Sequence, residues 1–283
     1  MTRPSGTGEA TPASPRTGDL ETLLLPKDRQ PRRATAVAAL RAMSWRSMLK
    51  IKHIPSQLFD VTLFPIVMVL MFTYLFGGAI AGSTDEYLQY LLPGIMTMSV
   101  LLTTLSTGMT INIDAKQGLL DRVRTLSIWR PAPMIGYLVA DAFRYTSASL
   151  VMVVVGLVLG YRPAAGVLGV LAGIGVLVGF AFAFSWVWTA LGLVLDTEKA
   201  VMSVSMAVMF PLTFLSNVLV DPDTMPGWLG SVVEVSPVTQ LVTSVRGLTS
   251  GVWEGAALLW TTVYGAGFLV LFGALTIRLY NRQ

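Results

Sequence analysis

Apolar residues along the chain gather into six long stretches, and a helix crossing a bilayer needs about 20 of them at 1.5 Å rise each. They run from Leu58 to Phe76, Tyr87 to Ile111, Met134 to Leu159, Val167 to Leu195, Ala200 to Val220 and Ala256 to Tyr280. The first closes at Gly77-Gly78, and the second carries Pro93-Gly94 near its start. Only Gly160, Tyr161, Arg162, Pro163 and neighbouring small residues separate the third from the fourth, which predicts a tight helical hairpin. The pattern predicts an all-α integral membrane protein with six transmembrane helices.

The segments between and before the spans are patterned too. Residues 1–35 hold five of the fifteen prolines among Ser, Thr and Gly, and the apolar run Leu23-Leu24-Leu25 stops at Pro26. That composition predicts a disordered cytoplasmic tail and excludes a secretory signal. Over 36–54 proline is absent, and Ala38, Ala42, Trp45 and Leu49 recur at helical spacing with Arg46 and Lys50 on another face. An amphipathic helix in the membrane interface fits this, with an ordinary cytosolic helix as the alternative. Between spans two and three, Leu119, Val123 and Leu126 recur at spacings of four and three, with Asp121, Arg122 and Arg124 on other faces. This predicts a short amphipathic helix across the ends of two spans, either free to meet a partner or a plain surface linker. From Asp221 to Gly255 the chain is partly apolar but broken by Pro226 and Pro237. Each half is too short to span, so two short re-entrant helices are expected.

Charge sets an orientation. With the N-terminus inside, seventeen of the twenty Lys and Arg fall on the inner side, Arg162 and Arg246 fall outside, and Arg144 lies within a span. The positive-inside rule then makes both termini cytoplasmic, in a multi-pass protein of the cell membrane. Composition agrees: 53% of residues are hydrophobic and 13% charged, where a soluble domain carries roughly a quarter charged. The net charge of +4 makes no nucleic-acid patch, because the basic residues follow the membrane topology. Without cysteine there is no disulfide, thiolate chemistry or cysteine metal site, and His53 as the one histidine leaves no metal centre to expect.

Charges at membrane depth are costly and mark candidate function. Asp141 and Arg144 stand three residues apart on one helical face, as a structural ion pair or a substrate contact. Asp60, near the start of span one, lies at the interface or on a substrate path. Met96, Met98, Met202, Met206, Met209, Phe210 and Phe214 give spans two and five adaptable apolar surfaces, suited to varied apolar ligands or to packing alone. The chain has no G-x-x-x-x-G-K-[ST] motif, no H-E-x-x-H and no G-x-S-x-G. It therefore binds no ATP in the P-loop manner, and transport driven from elsewhere is the expected task.

Several runs resemble the actinobacterial ABC-2 transporter permeases, in their daunorubicin/doxorubicin-resistance (DrrB-like) form. These are Lys50-Ile51-Lys52-His53-Ile54-Pro55 with Gln57-Leu58-Phe59-Asp60-Val61-Thr62, Leu91-Leu92-Pro93-Gly94-Ile95, and Arg124 through Pro133. Asp141 and Arg144 match the family's third-span pair, and Pro237-Val238-Thr239 followed by Arg246-Gly247-Leu248 is similar to its signature, with Gln240 a mild departure. The resemblance covers about residues 36–283, with the ABC-2 six-helix domain over 55–283. It implies a permease subunit and not an enzyme. A homodimer, or a pair with a related permease, would sit on two ATP-binding cassette subunits that hold ATP and Mg, with membrane lipids around it and no cofactor of its own. It also implies that Asp114–Arg130 is the coupling helix, with Leu119, Asp121, Arg122, Val123, Arg124 and Leu126 meeting the ATPase. The cargo implied is an amphipathic, anthracycline-like drug. A lipid-linked glycan or other lipid is the alternative cargo, and a non-transport membrane enzyme or scaffold the alternative function.

Overall fold

The computed structural model describes residues 55–119 and 132–282. The expected tail, the expected interfacial helix and, from the inner segment, Asp121, Arg122, Val123, Arg124 and Leu126 lie outside the described residues. Every regular element within them is helical. Helix α1 (Pro55–Met71) runs through a π-helical turn (Phe72–Phe76) into the short α2 (Gly77–Ala81). Then come α3 (Thr84–Lys116), α4 (Ala132–Leu159), α5 (Gly166–Val194) and α6 (Glu198–Phe214). A 3-10 turn (Pro222–Thr224) leads to α7 (Gly227–Val235), α8 (Pro237–Ser250) and α9 (Gly255–Arg282).

Local chemistry explains the starts and stops. Ser83 caps α3 by accepting from the Glu86 N–H at 3.2 Å, and Thr197 caps α6 by accepting from the Ala200 N–H at 3.1 Å. Acidic residues follow in both first turns (Asp85 and Glu86; Glu198), where the helix dipole favours them. Gly160 and Gly166, at φ +108° and +65°, turn the chain between α4 and α5 in the expected hairpin. Pro226 stands at the N-cap of α7, and Pro237 opens α8, where its missing N–H costs nothing. The two short helices expected from the broken pattern after span five are thus present.

Among the described residues, α3, α4, α5 and α9 are long and apolar enough to cross a membrane. The chain is a multi-pass membrane protein. The other two apolar stretches form shorter helices: Leu63–Ala79 passes through the π turn, and α6 has 17 residues. The fifth stretch was expected to continue to Val220, yet α6 stops at Phe214. There the Ser216 hydroxyl donates to the Thr213 carbonyl, and the Asn217 side chain bonds across to Thr243 rather than along its own helix.

Helix α3 forms the centre, packed against α1, α4, α5, α6 and α8, while α5 also carries α8 and α9. Its 33 residues span about 50 Å, well beyond the roughly 30 Å hydrocarbon layer. The tightest crossing is with α5. A Cβ added at Gly108 would come 2.6 Å from the Trp188 carbonyl oxygen, and one at Gly192 would come 2.4 Å from the Gly108 carbonyl oxygen. Paired glycines bring the two backbones together, as small residues do between membrane helices.

Gly108→Ala and Gly192→Ala should each lower the detergent melting temperature through an overpacking cost of about 1–3 kcal/mol. Gly175→Ala, whose Cβ would meet nothing within 4 Å, is the control and should melt like the natural chain.

Candidate functional site

Midway along the bundle, polar side chains from three helices meet. On α4, Arg144 Nη2 lies 2.9 Å from Asp141 Oδ1, as the i, i+3 spacing requires. Both residues are buried, at 5% and 8% exposure. From α3, Thr107 Oγ1 donates to Asp141 Oδ2 at 2.5 Å, while Ser106 Oγ and the Thr103 carbonyl accept from Arg144 Nη2 at 2.5 and 3.3 Å. The Tyr145 hydroxyl then reaches Ser185 Oγ on α5 at 2.8 Å.

The protons can be assigned by counting donors. Ser185 spends its hydrogen on the Ala181 carbonyl, so Tyr145 donates to Ser185. Thr107 spends its hydrogen on Asp141, which leaves the 3.2 Å Thr107–Tyr145 approach a dipolar contact. Asp141 therefore accepts from both Thr107 and Arg144, the arrangement that stabilises a buried carboxylate. Arg144 Nε is buried without a hydrogen-bond partner.

Beside this network, α1, α3 and α6 enclose a cavity of about 290 Å³. Phe64, Met109, Met202 and Met206 supply its apolar wall, and Thr103 and Ser106 its polar one. Arg144 braces the polar wall from behind through those same two residues. The hydroxyl hydrogens of Thr103 and Ser106 are committed to the carbonyls of Ser99 and Thr103. The cavity thus combines an aromatic ring, thioethers and hydroxyl oxygens, and can take an amphipathic guest.

Of the candidates drawn from sequence, Met206 lines this cavity, whereas Met96 and Met98 are buried in the main core. Phe210 and Phe214 stack with ring centroids 4.4 Å apart on an exposed face of α6. Asp60 falls within α1, with its side chain outside the described residues. Leu119 is half-buried at the edge of what is described. The feet of the segment after it are close-tied, because the Tyr137 hydroxyl on α4 donates to Asp114 Oδ2 on α3. Asn112 Nδ2 also donates to the Gly192 and Leu195 carbonyls at the end of α5, at 2.9 and 2.7 Å.

Sequence reasoning missed Ser106, Thr107, Tyr145 and Ser185. The available signal was the hydroxyl stripe Thr103, Ser106, Thr107 and Thr110 at helical spacing along the second span.

Residues 38–249 match the ABC-2 type transporter family. The daunorubicin resistance ABC transporter permease protein DrrB1 of Streptomyces coeruleorubidus is 43% identical over 286 residues, covering 100% of this chain and 99% of the relative. The "Probable doxorubicin resistance ABC transporter permease protein DrrC" of Mycobacterium tuberculosis is 26% identical over 209 residues, covering 73% of this chain and 75% of that relative. A non-transport enzyme or scaffold has no place in this company. The chain belongs to the ABC-2 type transporter permeases, the membrane subunits of ABC transporters, which work with an ATP-binding subunit.

Proposed function

We propose that the chain is the permease of an exporter that moves an amphipathic, anthracycline-like drug out of the cell. The observation carrying this reading is the full-length, 43% identical match to a daunorubicin resistance permease. The cavity walled by Phe64, Met202, Met206, Thr103 and Ser106 supports it, since it offers ring-compatible and hydrogen-bonding surfaces together. In this reading α1 and α6 complete a set of six spans, and both termini are cytoplasmic. Two permease chains pair as a homodimer, or with a related permease, on two ATP-binding subunits that hold ATP and Mg. Asp60, Met96, Met98, Phe210 and Phe214 remain further candidates for the substrate path.

The segment between α3 and α4 would be the coupling element, with Leu119, Asp121, Arg122, Val123, Arg124 and Leu126 meeting the ATPase. Closure of the ATPase pair would press on it and tilt α3 and α4 together. Asp141 and Arg144 would be a structural pair within this moving body. Thr103, Ser106 and Thr107 of α3 hold both charges, so the pair ties α4 to α3.

The purified chain should hydrolyse no ATP, and drug uptake into inverted vesicles should need its ATPase partner. Turnover by the chain alone would overturn the reading. Arg122→Glu with Arg124→Glu should insert normally and keep ATP hydrolysis while losing about tenfold in export per ATP, as a coupling free energy of 1–3 kcal/mol implies. Unchanged transport by that variant counts against the coupling role. Arg144→Met should cost about 3–5 kcal/mol of stability in a detergent melt by leaving Asp141 unpaired, and adding Asp141→Asn should recover much of it. Export by the double variant at the natural rate is the outcome expected of a structural pair, and its abolition in a well-folded double variant would mark a substrate contact.

A further inference from the structure

The second feature of the fold with unspent chemistry lies at the opposite end of α3 from the coupling segment. Where α6 ends, residues 215–221 run without a helical ladder before the 3-10 turn at Pro222. Their carbonyls need donors from elsewhere, since an unsatisfied carbonyl in a membrane bundle is expensive. Two tyrosines one turn apart on α3 supply them: the Tyr87 hydroxyl donates to the Leu219 carbonyl at 3.0 Å, and the Tyr90 hydroxyl to the Asn217 carbonyl at 3.1 Å.

Arg246, reaching in from α8, completes the set. Its Nη2 donates to the Asn217 carbonyl at 3.2 Å, and Nε and Nη2 both donate to the Tyr90 carbonyl at 3.2 and 3.1 Å. The guanidinium carbon stands 3.6 Å over the Tyr90 ring. That carbonyl lies one turn before Gly94, beside the Gln89 carbonyl that Pro93, having no N–H, leaves without its helical donor. Asn217 Nδ2 adds a bond to Thr243 Oγ1 on α8 at 2.9 Å. The stretch is pressed so closely onto α3 that a Cβ at Gly94 would come 2.5 Å from the Val218 carbonyl oxygen.

One cation therefore holds three elements: α3, α8 and the unwound stretch after α6. Its hydrogen-bond partners here are carbonyls, which can exchange a guanidinium for water, and the Asp221 carboxylate at the end of the stretch adds a through-space attraction. That suits a contact made and broken in each cycle better than an ion pair sealed in the bundle does. A groove of about 610 Å³ lined by Val208, Pro211, Leu215, Val232 and Val235 separates α6 from α7 at the start of the stretch.

We propose that Arg246 is a positioning residue of the transport cycle, a latch that keeps the outer end of the path shut. While the guanidinium is docked on the Tyr90 and Asn217 carbonyls, α8 and the 215–221 stretch stay on α3. Outward opening requires it to undock. The proposal rests on the reading that places this end of the bundle outside the cell.

The natural chain lacks cysteine, so a single one introduced by substitution is a clean reporter. Val218→Cys, buried while the stretch lies on α3, is labelled with a membrane-impermeant maleimide in right-side-out and inverted membrane vesicles carrying the whole transporter. In the natural background, labelling should be slow in the ATP-free state and fast when the ATPase is trapped with ATP. Arg246→Lys keeps the charge but loses the fork. It should raise the ATP-free rate about tenfold, as releasing two or three hydrogen bonds allows, and keep ATP turnover while lowering export per ATP. Tyr90→Phe, which loses only the bond to Asn217, should give a smaller rise in the same direction. Trp253→Cys, exposed between α8 and α9, should label at one rate in every background. Val218→Cys rates in Arg246→Lys that match the natural background overturn the latch. So does a parallel rise at Trp253→Cys, which would indicate general loosening. Labelling of Val218→Cys in inverted vesicles alone overturns the orientation, and the outer latch with it.

Discussion

A carbonyl that leaves a helix inside a membrane bundle must find its donor in protein, and much of this structure follows from that one constraint. Within the spans, threonine and serine hydroxyls bond back to carbonyls of their own helix, as Thr97 does to Pro93 and Thr110 to Ser106. Where helices end, donors come from neighbours. Asn112 of α3 caps the last carbonyls of α5, and Tyr87, Tyr90 and Arg246 cap the stretch that follows α6. Each such cap is also a tie between elements, so the helix ends determine which helices move together.

The same constraint explains why α3 is central. It supplies the Gly108 approach to α5, the hydroxyls around Asp141 and Arg144, and the caps at both ends of the bundle. A helix with that many obligations is largely buried, and its apolar and polar residues both face protein. Its weak amphipathic pattern, with Thr and Ser scattered among Leu and Met, is what a fully surrounded span should show.

Much of the fold was legible in the sequence because hydrophobic length is a one-dimensional signal. The long spans, the α4–α5 hairpin and the two short helices bounded by Pro226 and Pro237 could all be read from spacing and punctuation. The end of α6 could not. Val218, Leu219 and Val220 continue the apolar run, and donors from distant positions, Tyr87, Tyr90 and Arg246, make an unwound backbone tenable there. Asp141 and Arg144 were visible as charges in an apolar span, and their pairing followed from spacing alone. Their hydroxyl partners were not visible, since a threonine in a membrane helix usually bonds its own backbone and says nothing of a neighbour. Met96 and Met98 illustrate the limit: composition marks a methionine as adaptable, but only the helix's rotation decides whether it meets a cavity or the core.

The hydrogen bond from Tyr137 to Asp114 has a mechanical consequence. It fastens the last turns of α3 to the first turns of α4, so the chain between them departs from and returns to a single footing. If that stretch is the coupling element, a push on it would load both supports together. It would reach both helices as one displacement, and through Asn112 the end of α5 as well. The base of the bundle is built like a yoke, in which three long levers share one crossbar.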